Sequence, residues 1–321
     1  MPTFCRHNRF VQNCPICREP EPSRSRPSAP SRPRSGGTST ARRSSARAGG
    51  LRVRRVARAA DDGFASPLVP GLRAGADAES LAEEIAFATG RLAQLAAAPP
   101  GPYAEAASEP DRDEALWLVT LVSLLSPLAG DEPFANFRAA RVPWATGEVP
   151  ALEGVEIGPR SPLRSAAEAP RALAAYRGWA ERAGGQEPAL TGEQAWTAQR
   201  RFDRTFERLG SLPGFGRPAR YELLVALGRL GLLDATPAAL HFDERDDASM
   251  AAKRVFGIGD RINLERRAGD LAEAAAVPVE ALDLALANFG RSPDAPRATF
   301  GADARAADDE TRDRVVAALG L

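Results

Sequence analysis

From about residue 75 onward, apolar residues recur at spacings of three and four, and no run of alternating β-branched residues competes with that period. Within Ala78–Ala97, for example, Leu81, Ile85, Ala86, Leu92 and Leu95 share one helical face. Asp111–Leu125 reads as a second, strongly apolar helix stopped by Ser126-Pro127. Further helices are expected over about 168–184, 195–209, 217–231, 248–255, 260–276 and 278–289. The pattern leaves no room for a sheet, so the expected fold class is all-α. Residues 134–166 carry several Pro and Gly with few periodic positions. An irregular stretch of that length inside a domain is uncommon unless it serves function.

The N-terminus is of another kind. Residues 5–17 hold all three cysteines of the 321-residue chain and one of its two histidines, as Cys5, His7, Cys14 and Cys17. Three thiolates and an imidazole form a complete tetrahedral zinc set with no position left for water. Structural Zn2+ is the expected cofactor, and a tail with free thiols is the alternative. Residues 18–60 are rich in Ser, Pro, Gly and Arg and carry almost no large apolar side chains before Leu51. Such a stretch buries too little surface to offset ordering entropy and is expected to be a disordered basic tether. Its charge favours polyphosphates in a salt-dependent, sequence-blind way. A solvated linker is the other reading.

Charge divides along the same line. Residues 1–60 contain fourteen Arg against two acids, while the remainder has 28 basic and 40 acidic groups, so the overall balance of 42 to 42 averages two unlike regions. No stretch is apolar and long enough to span a bilayer, and no secretory leader is visible. An odd number of clustered cysteines is no disulfide framework for a domain of this size. A reduced, cytoplasmic setting without a membrane is expected. The divisions expected are a knuckle over 1–18, a linker over 19–65, a helical domain over 66–291, and an extension with a short helix over 292–321.

Two places break the helical period alike. Leu212-Pro-Gly-Phe-Gly-Arg-Pro-Ala-Arg-Tyr-Glu-Leu-Leu224 sets Gly214 and Gly216 between two helices, and Val255-Phe-Gly-Ile-Gly-Asp260 repeats the arrangement with Gly257 and Gly259. Such glycines leave backbone N–H groups uncovered at the start of the following helix, which is an anion site that a DNA phosphate fits. Phe215 and Ile258 would plug the hairpins into the core. An ordinary interhelical turn is the plainer reading, and it is stronger at the second site, where Asp260 would repel a phosphate.

The Leu212–Leu224 element resembles that of the helix-hairpin-helix DNA glycosylase superfamily. Five further motifs, among them Arg200-Arg-Phe…Phe206-Glu-Arg-Leu209, are similar to the α-glutamyl/putrescinyl thymine pyrophosphorylase families, particularly their third clade. The other four are Ser126-Pro-Leu-Ala-Gly-Asp-Glu-Pro-Phe134, Ala175-Tyr-Arg-Gly-Trp-Ala-Glu-Arg-Ala183, Ala251-Ala-Lys-Arg-Val-Phe-Gly-Ile-Gly-Asp260 and Ala281-Leu-Asp-Leu-Ala-Leu-Ala-Asn-Phe-Gly290. The resemblance implies a glycosylase-like body that binds DNA, with hypermodified pyrimidines of viral genomes as targets. It implies either cleavage of the glycosidic bond in antiviral defence, or replacement of a pyrophosphorylated hydroxymethyl group on thymine by an amine or amino acid. A non-catalytic DNA reader is the third possibility. The resemblance also implies a monovalent or divalent cation at the hairpin. The oligomeric state is left open.

Glycosidic cleavage passes through an oxocarbenium-like state that a carboxylate stabilises. In the superfamily a functional Asp follows the hairpin by roughly two dozen residues, where this chain offers Asp234 and then the cluster Asp243, Glu244, Asp246 and Asp247, with Asp243 and Asp247 as the candidates. The plainer reading makes this a solvated acidic loop with Asp247 capping the next helix. Lys253 is the only lysine beside 41 arginines. A neutral amine can form a Schiff base, which guanidinium cannot, so Lys253 joins the catalytic candidates. Where the superfamily places such a lysine, this chain has Arg217-Pro218. Arg217 and Arg254 are candidates for holding phosphate, Asp260, Asp283 and Asn288 for substrate contacts, and Trp144 for stacking on a flipped base.

Overall fold

The computed structural model describes residues 59–243, 246–257, 259–291, 295–300 and 308–321. The chain divides into Met1–Val53 and a compact unit Arg54–Leu321, and every described residue lies in the second. Cys5, His7, Cys14 and Cys17 therefore lie outside the described residues, as does Ile258. Twelve α-helices run through the described residues, without a strand: α1 (Gly75–Ala97), α2 (Pro102–Ser108), α3 (Arg112–Leu125), α4 (Ala135–Ala140), α5 (Ala169–Arg182), α6 (Gln186–Thr191), α7 (Ala198–Leu209), α8 (Arg217–Arg229), α9 (Asp247–Phe256), α10 (Arg261–Ala274), α11 (Ala281–Phe289) and α12 (Asp309–Leu319). None is long and apolar enough to cross a membrane. The all-α expectation holds. The short helices α2, α4 and α6 were not legible as periodic stretches, because six or seven residues span under two turns.

Helix α3 is the centre. Asp111 caps it by accepting from the amides of Asp113 and Glu114 at 2.9 and 3.2 Å, and every residue from Ala115 to Leu125 is buried. A helix apolar on all sides belongs inside a domain. Helices α2, α4, α6 and α8 pack around it. A second group forms where α1 meets α11 and α12, with α11 against α9 and α9 against α10. Helix α8 touches α1, α3 and α7 and so belongs to both groups. Helix α12, placed by the sequence in a C-terminal extension, packs on α1 within the same unit.

The irregular stretch before α5 is stitched to the end of α3. The Gly158 amide donates to the Leu125 carbonyl at 2.8 Å, the Ser161 hydroxyl to the Leu124 carbonyl at 2.8 Å, and the Arg160 amide to the Ser126 hydroxyl at 3.2 Å. A Cβ on Gly158 would fall on the carbonyls of Ser126 and Pro127. Backbone cannot yield as a flexible side chain does. Gly158→Ala is therefore expected to displace residues 157–161 and cost about 1–3 kcal/mol. The measurement is the urea midpoint at unchanged m-value; a midpoint equal to wild type would show that the close approach is not needed.

Candidate functional site

The first hairpin takes the form its residues demand. Gly214 has φ +80, and a Cβ there would meet the Cβ of Ala172. Phe215 is buried and stacks on Tyr176 with ring centroids 5.6 Å apart, which seats the turn against α5. Gly216 then caps α8 with no side-chain bond, and Pro218 lies in the first turn, where a missing N–H costs nothing.

Arg217, the first residue of α8, turns inward. Its Nε donates to Asp246 at 2.9 Å and its Nη2 to Asp283 of α11. Asp283 also pairs with Arg160, whose Nε donates to Glu222 of α8 at 2.9 Å. Arg160, Arg217, Glu222 and Asp283 are all at most 4% exposed in their side chains. Burial disfavours the charged form of Arg160, but Asp283 and Glu222 outweigh it and hold the guanidinium firmly protonated. Glu222 must share Arg160 with Asp283, and burial pushes its carboxyl above the ordinary value. Arg160 thus joins the irregular segment to α8 and α11, with Arg217 extending the chain of charges to α9.

The α9 entry is fixed from several sides. Asp246 caps the helix by accepting from the Ser249 amide at 3.1 Å and its hydroxyl at 2.6 Å. The cap is therefore Asp246, not Asp247 as the plainer sequence reading had it, because Asp247 is already helical. Upstream, Glu265 of α10 accepts from the amides of Leu240 and Phe242, both at 2.7 Å, and the Asp243 amide donates to the Ser249 hydroxyl at 2.8 Å. Asp243 and Asp247 are exposed. Asp247 faces Arg291 at 3.4 Å, and the Arg291 guanidinium also donates to the Pro159 carbonyl.

These groups enclose a cleft of about 400 Å³, lined by Arg160, Gly216, Arg217, Asp243, Asp247 and Arg291 among others. The volume is within the usual range of about 300–1,000 Å³ for small-molecule sites. Four residues picked from sequence, Gly216, Arg217, Asp243 and Asp247, meet here. Lys253 and Asp260 line a neighbouring cleft of about 710 Å³, which also borders Asp243. Asp260 caps α10 by accepting from the Asn263 amide at 2.9 Å.

Three other candidates are engaged elsewhere. Arg254 pairs with Asp77 of α1 at 2.8 Å and lies over the Phe289 ring at 4.5 Å. Asn288 holds the Ala298 backbone from both sides, accepting at 3.0 Å and donating at 3.2 Å. Trp144 packs on Trp117 with centroids 5.3 Å apart and carries the Arg177 guanidinium 4.2 Å from its ring centroid. It lines neither cleft.

Sequence reasoning missed Arg160, Glu222 and Arg291, and passed over Asp246 in favour of its neighbours Asp243 and Asp247. A signal existed for Glu222: it is a lone acid inside the apolar run of α8, Tyr221-Glu-Leu-Leu-Val-Ala-Leu227, as Asp283 is inside α11. A buried carboxylate in such a run requires a cation from elsewhere. Nothing in the run says which arginine supplies it. Comparison of the chain with family models, curated proteins and solved structures returned no match.

Proposed function

We propose that this chain is a DNA-acting enzyme that takes a modified pyrimidine out of the duplex and cleaves its N-glycosidic bond, leaving an abasic site. The observation that carries this reading is the meeting of Asp243 and Asp247 with the Gly216–Arg217 hairpin end around one nucleoside-sized cleft. In it, the open amides at the start of α8 hold a backbone phosphate near the cleft. The carboxylates then face the sugar as positive charge develops at C1′. Water attacks C1′ and gives up a proton to one of the carboxylates, while the base leaves with the glycosidic electron pair and takes up a proton from solvent. The buried arginine–carboxylate lattice beneath keeps both walls of the cleft in register.

Met250 fits the same reading. It is 56% exposed, one turn beyond Asp246 and Asp247 and one turn before Lys253, so it stands on the α9 face between the two clefts. An apolar side chain there can fill the gap that an extruded nucleotide leaves in the stack. Hypermodified phage DNA is the proposed substrate, and antiviral defence the proposed role. The knuckle donor set fits structural zinc; Cys5, Cys14 and Cys17 as thiolates with His7 would hold it and shape a recognition element, with no part in the chemistry.

The test incubates the purified chain with phage DNA carrying hydroxymethylated or glycosylated pyrimidines, beside unmodified DNA. Free base by mass spectrometry together with alkali-labile sites, on modified DNA alone, is the expected result. Intact strands bearing a base of altered mass, dependent on an added amine, would replace it with the transferase. A separate measurement addresses the knuckle: about one zinc per chain is expected, lost in a Cys14→Ser/Cys17→Ser variant. Wild-type protein purified without zinc, and taking none up, would remove that assignment.

A further inference from the structure

The second cleft holds an imbalance of partners rather than of charge. Three cations line it: Lys253 from the last turn of α9, Arg261 from the first turn of α10, and Arg220 from α8. Among the described residues none of the three forms an ion pair. Arg220 donates one bond to the Phe206 carbonyl at 3.0 Å and lies 4.0 Å from the Phe206 ring centroid, while its Nε is buried without a hydrogen-bond partner.

The carboxylates of the same cleft are committed. Asp203 holds Nε2 of His241 at 2.9 Å, Glu207 pairs with Arg204 at 3.1 Å, and Asp260 caps α10. Asp243 has its own interactions and acts electrostatically on Arg220 across the cleft. Burial disfavours the charged form of His241, although Asp203 beside it opposes the shift. Its backbone has φ +53, and its ring stacks on Phe206 at 4.4 Å, so the wall beside Arg220 is rigidly built. Elsewhere around the site the arginines are matched: Arg160, Arg217, Arg254 and Arg291 all have carboxylate partners. Four carboxylates line the cleft beside the three cations, so it carries no net positive charge, and the Asp260 carboxylate, which would repel a phosphate at the α10 start, is turned to the Asn263 amide. What favours an anionic ligand is that the three cations lack a salt-bridge partner while the carboxylates beside them already have theirs.

We infer that the cleft between α7, α8, α9 and α10 is a phosphate-binding site in which Lys253, Arg261 and Arg220 take the oxygens of one or two phosphoryl groups. The chemistry is the same for a phosphodiester of a DNA strand and for free phosphate or pyrophosphate. The inference does not require the cleavage reaction proposed above. With that reaction, the shared border at Asp243 would make this cleft the seat of a flanking phosphate.

The experiment uses the full chain and two probes, pyrophosphate and a fluorescent 12-nucleotide single strand without modified bases, at several salt concentrations. Wild type is compared with Lys253→Gln/Arg261→Gln and with Arg171→Gln/Arg182→Gln. The control removes the same charge from exposed positions on α5, which lines neither cleft. The basic N-terminal segment is present in all three proteins, so its contribution cancels.

A loss of about tenfold or more for at least one probe in the first variant, with little change in the control, is expected. For the oligonucleotide the slope of log affinity against log salt should also fall by about 1 to 2. Loss confined to the oligonucleotide identifies a strand phosphate; loss for pyrophosphate identifies free phosphate. Equal binding of both probes by wild type and the cleft variant, or equal loss in the control, overturns the site. Base release from modified DNA is scored separately, so a failed cleavage assay with intact probe discrimination rejects only the proposed reaction.

Discussion

Asp283→Ala is expected to destabilise the protein by about 3–5 kcal/mol, because it strands two buried guanidinium groups at once. Asp283 accepts from both Arg160 and Arg217, and neither arginine has more than 4% of its side chain in contact with solvent. Arg160 would retain only Glu222, and Arg217 only Asp246. For a unit of this size the loss corresponds to a melting temperature lower by about 10 °C. The cost comes from the charges left behind, not from the pair as such. A concerted replacement of Arg160, Glu222 and Asp283 by apolar residues of similar volume is therefore expected to recover part of it. Thermal and urea unfolding of the single and triple variants check this. An Asp283→Ala protein that melts with wild type would mean that the lattice does not carry the α8–α11 junction.

Asp243→Asn and Asp247→Asn, tested singly, are each expected to slow base release from modified DNA by about 100-fold or more, the loss typical when an electrostatic partner of the transition state is removed. Binding of the same DNA should persist, since the hairpin and the basic N-terminal region are untouched. Stability should persist too. Both residues are exposed, and the pair of Asp247 with Arg291, 55% exposed on the aspartate side, is worth about 0–1 kcal/mol. The amide of residue 243 can still donate to Ser249 in the asparagine variant. A slowed reaction in a protein of unchanged melting temperature therefore reports chemistry rather than unfolding. Full activity in both variants would remove these carboxylates from the proposed mechanism.

The difference between the two predictions follows from what each set of residues is for. Asp283 is hidden in a helix that is buried along its whole length, and its effect reaches the cleft only through Arg217 and Arg160. Asp243 and Asp247 face solvent from a segment that four backbone and capping bonds hold still. The acidic cluster was visible in the sequence, yet its members could not be told apart there. Asp246 and Asp247 are adjacent and chemically identical, but one turns in to cap α9 and meet Arg217, and the other turns out toward Arg291.

Local pattern alone determined the helical class, the long helices to within a few residues, and the Gly214–Phe215–Gly216 turn with its buried aromatic plug. Those features depend on periodicity and on backbone freedom over a handful of consecutive residues. The partners of Arg160 lie 62 and 123 residues away, and Arg254 meets Asp77 across 177 residues. No period or spacing encodes such pairings, because a buried charge specifies only that some opposite charge must come, and 41 arginines compete to supply it. Which did so was decided by the packing of α3, α8, α9 and α11, and by Gly158, which lets the irregular segment approach the end of α3 closely enough to deliver Arg160.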